Sequence, residues 1–164
     1  AGLRVAPEVQ EMADKLDAMM DIVLEYVQRE MDRSPAASQR LMGRLLHIFE
    51  RHVLTTHKSK FVQYVMFHAC SRAPSLAGVF PSKLLEVLTD PAAAPMARQS
   101  SAAYLASFLA RATFLTPLHV TGLLQRLLQW CDEYAAAWAA AVASGSEEGD
   151  AGALGGAGGV AAWD

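Results

Sequence analysis

The chain has 164 residues, 52% of them hydrophobic, which is ample apolar material for one domain-sized core. Aromatic residues make up only 8% while alanine and leucine abound, a balance that argues against a sheet of β-branched and aromatic side chains and favours helix. The net charge of −3 conceals three blocks: residues 1–32 carry three basic and eight acidic groups, residues 33–126 carry eleven and three for a net of +8, and residues 127–164 carry six acids and no base.

Pro7 followed by Glu8 and Glu11 makes a good helix start, because proline suits the first turn and carboxylates suit the positive end of the dipole. This helix is expected to reach about residue 32, with Val9, Met12, Leu16, Met19, Met20, Val23, Leu24 and Val27 forming one buried stripe. Ser34, Pro35 and Ser38 then form a turn, with Ser38 the expected cap of a second helix over about 39–54. Its spacing turns Leu41, Leu45, Ile48, Phe49 and Val53 inward and Arg40, Arg44 and Arg51 outward. After the break TTHKS, the stretch FVQYVMFHAC is apolar on all sides and reads as a central buried helix. A short helical pattern beyond Pro74 is expected to break at Pro81 and restart at Ser82, and Pro91 ends it. The next helix is expected from residue 95 or 96 to 113, and Pro117 opens the last, through Val120, Leu123, Leu124, Leu127, Leu128, Cys131 and Tyr134. Six to seven helices joined by short loops predict an all-α stack of antiparallel pairs over residues 1–143. From residue 144 the chain becomes Gly/Ala-rich and acidic, holding seven of the eleven glycines, and reads as a disordered linker that cannot bury enough surface to order itself.

Few residues have the spacing that chemistry needs. His47, His52 and His57 recur every five residues, so each is rotated by about 140° from the last and they cannot share a metal-binding face. His68 and Cys70 stand two apart on opposite sides of a helix, which rules out a base-activated thiol. Asp17 and Asp21 lie on one face but belong to a solvated acidic surface, and there is neither a glycine-rich phosphate loop nor a GxSxG. An enzyme is the weakest class, and no metal or cofactor is expected. Cys70 and Cys131, with no CxxC, read as reduced buried thiols of an intracellular protein. No apolar run approaches the roughly 18–20 residues of a membrane span, and AGLRVAPEVQ lacks a signal-peptide core. The start at Ala1 reads as that of an internal piece of a longer polypeptide.

Residues 82–111, SKLLEVLTDPAAAPMARQSSAAYLASFLAR, end one helix in Asp-Pro and open the next with arginine and small residues ahead of leucine and phenylalanine. The pattern resembles a HEAT repeat, in which small side chains let paired helices approach closely. Asp90 and Arg98 then have a structural role, the acid capping a helix start and pairing with the arginine across the turn. Such repeats stack into a HEAT-like solenoid, and a slice of one exposes apolar ends that neighbouring repeats cover.

Two stretches, LTTHKSKFVQYVMFHACS at 54–71 and DPAAAPMARQSSAAYLASFLARATF at 90–114, are similar to the RNA polymerase I-specific transcription initiation factors of the TIF-IA family. The shared features are a leucine-rich helix end, Thr-His, Val-Gln then Phe, and later Arg-Gln, Tyr and Ser-Phe-Leu-Ala-Arg-Ala ahead of Phe. The likeness extends more loosely from about Val9 to Tyr134. Thr113 stands where the family commonly has lysine, Ser100 and Ser101 where it has alanine, and Cys131 and Asp132 where it is more hydrophobic or neutral. The resemblance implies a non-catalytic helical solenoid of the nucleus and nucleolus. It also implies binding to RNA polymerase I, bridging to promoter-bound core factors on ribosomal DNA, and control by phosphorylation. In that reading the basic middle offers His57, Lys58, Lys60 and Arg111 as partner contacts, with Thr55 and Ser59 beside them. The alternative is a generic HEAT-repeat scaffold for protein–protein interaction. Direct nucleic-acid binding is disfavoured, since few aromatics interleave with the basic groups, and a homodimer is compatible with the sequence.

Overall fold

A computed structural model describes residues 7–56, 59 and 61–144, so the expected acidic linker lies, apart from Ser144, outside the described residues. All regular structure among them is helical: α1 Pro7–Arg33, α2 Pro35–Ile48, α3 Gln63–Arg72, α4 Val79–Thr89, α5 Pro95–Arg111 and α6 Pro117–Ala143. A π-helical turn, Phe49–Val53, prolongs α2, and a 3₁₀ turn, Pro74–Leu76, links α3 to α4. The all-α reading holds, and the six α-helices fall within the expected number.

Proline sets the starts of α2, α5 and α6. Pro35 and Pro117 occupy the first helical position behind Ser34 and Thr116, where a missing N–H costs nothing and the fixed φ is already helical. The Ser34 hydroxyl accepts from the Ala37 amide at 3.1 Å, and that of Thr116 from the His119 amide at 3.3 Å. The second helix therefore begins four residues earlier than expected, and Ser38 does not cap it. Ser38 is buried inside α2, where its hydroxyl donates to the Met31 carbonyl at 2.7 Å and satisfies a group that the end of α1 would leave orphaned. Pro81 does not break its helix either. It lies in the first turn of α4, where no intrahelical donor is needed, and the Ser82 amide simply continues the ladder by donating to the Gly78 carbonyl at 3.1 Å.

The core forms around an α4–α5 hairpin. Phe80 near the start of α4 meets Phe108 near the end of α5 with ring centroids 5.4 Å apart, which makes the two helices antiparallel. Phe67 from α3 and Phe114 beyond α5 stand edge-on to Phe108 at 5.0 and 5.9 Å, and Phe49 of the π-turn meets Phe80 and Tyr104, each at 5.0 Å. Each such contact adds about 0.5–1.5 kcal/mol beyond the area it buries. The expectation of a central α3 holds, since Val65, Met66, Phe67, Ala69 and Cys70 are all buried. Burial pushes the Cys70 thiol up to about 12, which leaves it inert, although a backbone hydrogen bond at Phe80 works the other way.

The outer helices depart from expectation. In α1 only Val27 and Met31 are buried, with Met20 and Leu24 packed partly on the core, while Val9, Met12, Met19 and Val23 face solvent. In α6 only Leu123 is buried. Leu124, Leu128 and Tyr134 are exposed, and so is Cys131, contrary to its reading as a buried thiol. Ile48, expected inward, is 52% exposed, because Met42, Phe49 and Val53 take the buried face of α2 and the π-turn. Periodicity marked these apolar stripes correctly, but among the described residues no helix covers the outer halves of α1 and α6.

Two polar groups in or beside the core lack partners among the described residues. The Ser101 hydroxyl is fully buried on α5 without a hydrogen bond. Removing an unsatisfied buried hydroxyl is favourable, so Ser101→Ala is expected to stabilise the chain by about 1 kcal/mol. A raised urea midpoint would show this, and a lowered one would mean that the hydroxyl is engaged. His68 has a buried Nε2 without a partner; desolvation chiefly, and Arg72 secondarily, hold its pKa below the usual 6.5, while Asp32 opposes them. A lowered folded pKa favours the neutral ring in the fold. That contribution to stability is present above pH 6.5 and lost as pH falls from there through the folded value. The urea midpoint should decline over that interval, and His68→Gln should flatten the decline.

Candidate partner-binding surface

The segment joining α2 to α3 is pinned at several points. The Leu54 amide donates to the Phe49 carbonyl at 3.0 Å, closing the π-turn, and the Leu54 side chain is buried. Thr55 donates its hydroxyl to the Arg51 carbonyl at 3.1 Å, and Thr56 bonds the His52 carbonyl in the same way. Further along, the Tyr104 hydroxyl on α5 donates to the Ser59 carbonyl at 2.8 Å. Burial raises the Tyr104 pKa, and that hydrogen bond only partly offsets it, so the phenol stays protonated and able to donate. Of the expected contact residues, His57, Lys58 and Lys60 lie outside the described residues, although the sequence places all three within two positions of the anchored Ser59. Arg111 is exposed at the end of α5 and donates to the Ser107 hydroxyl at 3.0 Å. It follows Tyr104 by seven residues, hence about two turns and 10 Å along the same side of the helix.

Asp90 and Arg98 act on the α4–α5 turn, but not as a pair. The Asp90 carboxylate accepts from the Ala92 amide at 2.8 Å, bracing the turn just past the end of α4. Arg98 donates its Nε to the Leu88 carbonyl at 3.0 Å, satisfying one of the free acceptors in the last turn of α4. The expected Asp90–Arg98 ion pair is absent, and Asp90 sits at a helix end rather than a helix start. An orphaned carbonyl in the part-buried turn draws the guanidinium more strongly than an exposed carboxylate that water already solvates.

Two charged features escape sequence reasoning. Lys83 on α4 lies 3.3 Å from Glu50 of the π-turn and 3.3 Å from Glu86, beside a groove of about 280 Å³ that Leu54, Val87, Asp90, Ala93 and Ala97 also line. Desolvation works against its charge, but hydrogen bonds to Glu86 and Glu50 outweigh it and hold the ammonium above its usual pKa. Arg72 of α3 grips Asp32 of α1 with both carboxylate oxygens, at 2.8 and 2.7 Å, and locks the two helix ends together. Lys83–Glu86 is an i,i+3 pair within α4, but Lys83–Glu50 and Arg72–Asp32 each join elements far apart in sequence, so no spacing signal could have paired those two. Outward Arg40, Arg44 and Arg51 were legible from helical spacing, and all three are exposed, with His47 between them.

Among the described residues no group of three or more His, Cys, Asp or Glu could hold a metal ion, and no helix is long and apolar enough to cross a membrane. No solved structure matches the chain. The RNA polymerase I-specific transcription initiation factor RRN3 of Mus musculus is 33% identical over 128 residues, covering 74% of this chain and 19% of that protein. Its namesake in Saccharomyces cerevisiae is 26% identical over 129 residues, covering 77% and 21%, and that of Schizosaccharomyces pombe is 23% identical over 127 residues with the same coverage. The chain thus spans about a fifth of the length of these relatives. With residues 4–151 matching the family described as RNA polymerase I specific transcription initiation factor RRN3, the chain belongs to that family.

Proposed function

We propose that this chain is one slice of a HEAT-like helical solenoid in a non-catalytic factor of the nucleus and nucleolus. The factor binds RNA polymerase I and bridges it to promoter-bound core factors for transcription of ribosomal RNA genes. The observation that carries this reading is the coincidence of family likeness with architecture. Tyr104, Phe108 and Ala112, from the stretch at 90–114 that resembles the family, are buried, and the Tyr104 hydroxyl bonds the Ser59 carbonyl. A helix core bonded to Ser59, beside which His57, Lys58 and Lys60 stand in sequence, suits recognition of a partner surface better than it suits chemistry. The uncovered stripes of α1 and α6 suit a stack that continues on both sides. Arg111 adds an exposed basic group on α5, and a phosphate on Ser59 would cancel most of the charge of Lys58 and Lys60 by adding about −1.5 to −2 charges.

Affinity capture from nuclear extract with the full-length parent protein tests the reading. Recovery of RNA polymerase I subunits supports it, and recovery of other assemblies without the polymerase would favour a generic helical scaffold. Lys58→Glu combined with Lys60→Glu is expected to abolish capture, and Tyr104→Phe, which releases the anchor, to weaken it about fivefold, the worth of one hydrogen bond. Unchanged capture by both variants would move the contact away from these residues.

A further inference from the structure

We propose that the outer face of α2 is a docking surface for an acidic segment of a protein partner that carries an apolar residue among its carboxylates. Arg40, Arg44 and His47 follow one another on α2 at steps of four and three, and Arg51 follows four residues on in the π-helical turn that prolongs it, so the four line one side of the continuous helix. All four are exposed, and the stripe lies opposite the buried face formed by Met42, Phe49 and Val53. From Arg40 to Arg51 it runs about 16 Å, the length of about five residues of extended peptide.

The stripe is uncompensated. Arg33 and Arg72 hold Glu30 and Asp32, but no carboxylate among the described residues lies within ion-pairing distance of Arg40, Arg44 or Arg51. Glu50, next in sequence to Arg51, is paired with Lys83 of α4 instead. Three like charges kept together without counter-charge raise the local potential and favour an anionic partner. Guanidinium forks match carboxylates two bonds at a time.

Ile48 decides between classes of anion. It borders the stripe one turn from both Arg44 and Arg51 and is 52% exposed. A peptide with an apolar side chain among its acids can cover it, whereas a phosphate backbone has nothing apolar to place there. On α2 the exposed aromatic ring is His47 alone, and the helix has no Phe, Tyr or Trp for a base to stack on. The residues of this stripe are not those of the contact assigned above, and its test does not depend on the polymerase.

The experiment uses the full-length parent protein and fluorescence anisotropy with a labelled synthetic peptide of interleaved glutamate and leucine. Its glutamine counterpart and a short DNA duplex serve as the comparison probes. The acidic peptide should bind with an affinity that falls as salt rises, and the glutamine peptide should not bind. Replacing Arg40, Arg44 and Arg51 together by glutamine should weaken binding at least about tenfold, and Ile48→Ser about fivefold. Arg33→Gln should leave it unchanged, and far-ultraviolet circular dichroism should show all variants equally helical. No binding of the acidic peptide, or equal binding by the triple variant, overturns the proposal. So does tighter binding of the duplex with no loss in Ile48→Ser, which would assign the face to nucleic acid. Failure of polymerase capture would count against the function proposed above and would leave these outcomes untouched.

Discussion

Phe108→Ala is expected to lower the free energy of unfolding by about 3–5 kcal/mol. The ring is wholly buried and touches rings from three other segments, Phe67 of α3, Phe80 of α4 and Phe114 beyond α5, at centroid distances of 5.0, 5.4 and 5.9 Å. Truncation forfeits the burial and leaves a hole that three edge-on aromatic neighbours, each fixed by its own helix or turn, cannot collapse to fill. Since a domain of ordinary stability has only about 5–15 kcal/mol in hand, the variant should be largely unfolded at modest denaturant. Urea unfolding followed by circular dichroism measures the loss, with the half-exposed Phe61→Ala as a control expected to cost below about 1 kcal/mol. A loss for Phe108→Ala as small as the control's would mean that the ring cluster is not the centre of the fold.

Arg98→Met is expected to destabilise by about 1.5–3 kcal/mol, because it removes a charged donor from the Leu88 carbonyl in a part-buried turn. Lysine should not rescue it, having no donor at the Nε position from which Arg98 bonds. Asp90→Ala should cost less, about 0.5–1 kcal/mol, since its bond to the Ala92 amide is exposed. As the two side chains do not touch, a double-mutant cycle should give a coupling below about 0.5 kcal/mol. A coupling well above that would restore the ion pair that the sequence suggests.

Much of this fold was legible because proline and helical periodicity are local signals. Pro35, Pro95 and Pro117 each stand at the first position of a helix, and the apolar density of residues 61–70 marked α3 as central. Local signals fail where two residues offer the same chemistry. Ser34 and Ser38 could both cap, and only the proline after Ser34 decides between them. They also fail where the answer depends on what lies opposite. The period of α1 shows which side is apolar but not whether this chain supplies a helix to cover it. The candidate surface was partly legible for the same reason. Arg40, Arg44 and Arg51 lie on one helical face by spacing alone, whereas the Tyr104 anchor and the Lys83 bridge join elements far apart in sequence. Asp90 and Arg98 looked like partners by charge, but the unbonded carbonyl at the end of α4 is a backbone demand that residue types do not display.

The uncovered outer halves of α1 and α6 set a gradient in local opening. None of the side chains at residues 7–15 or 131–140 is buried, and a helical arm of that length is marginal in water when nothing packs on it. Amides in the two arms should exchange with solvent through cheap local fraying, while those of the α4–α5 hairpin exchange only when the whole core opens. An arm that frays on its own timescale can close onto an incoming helix by zipping turn after turn, without first breaking a packed contact. The two outer arms should therefore be the first parts of the described chain to open, and the α4–α5 hairpin the last.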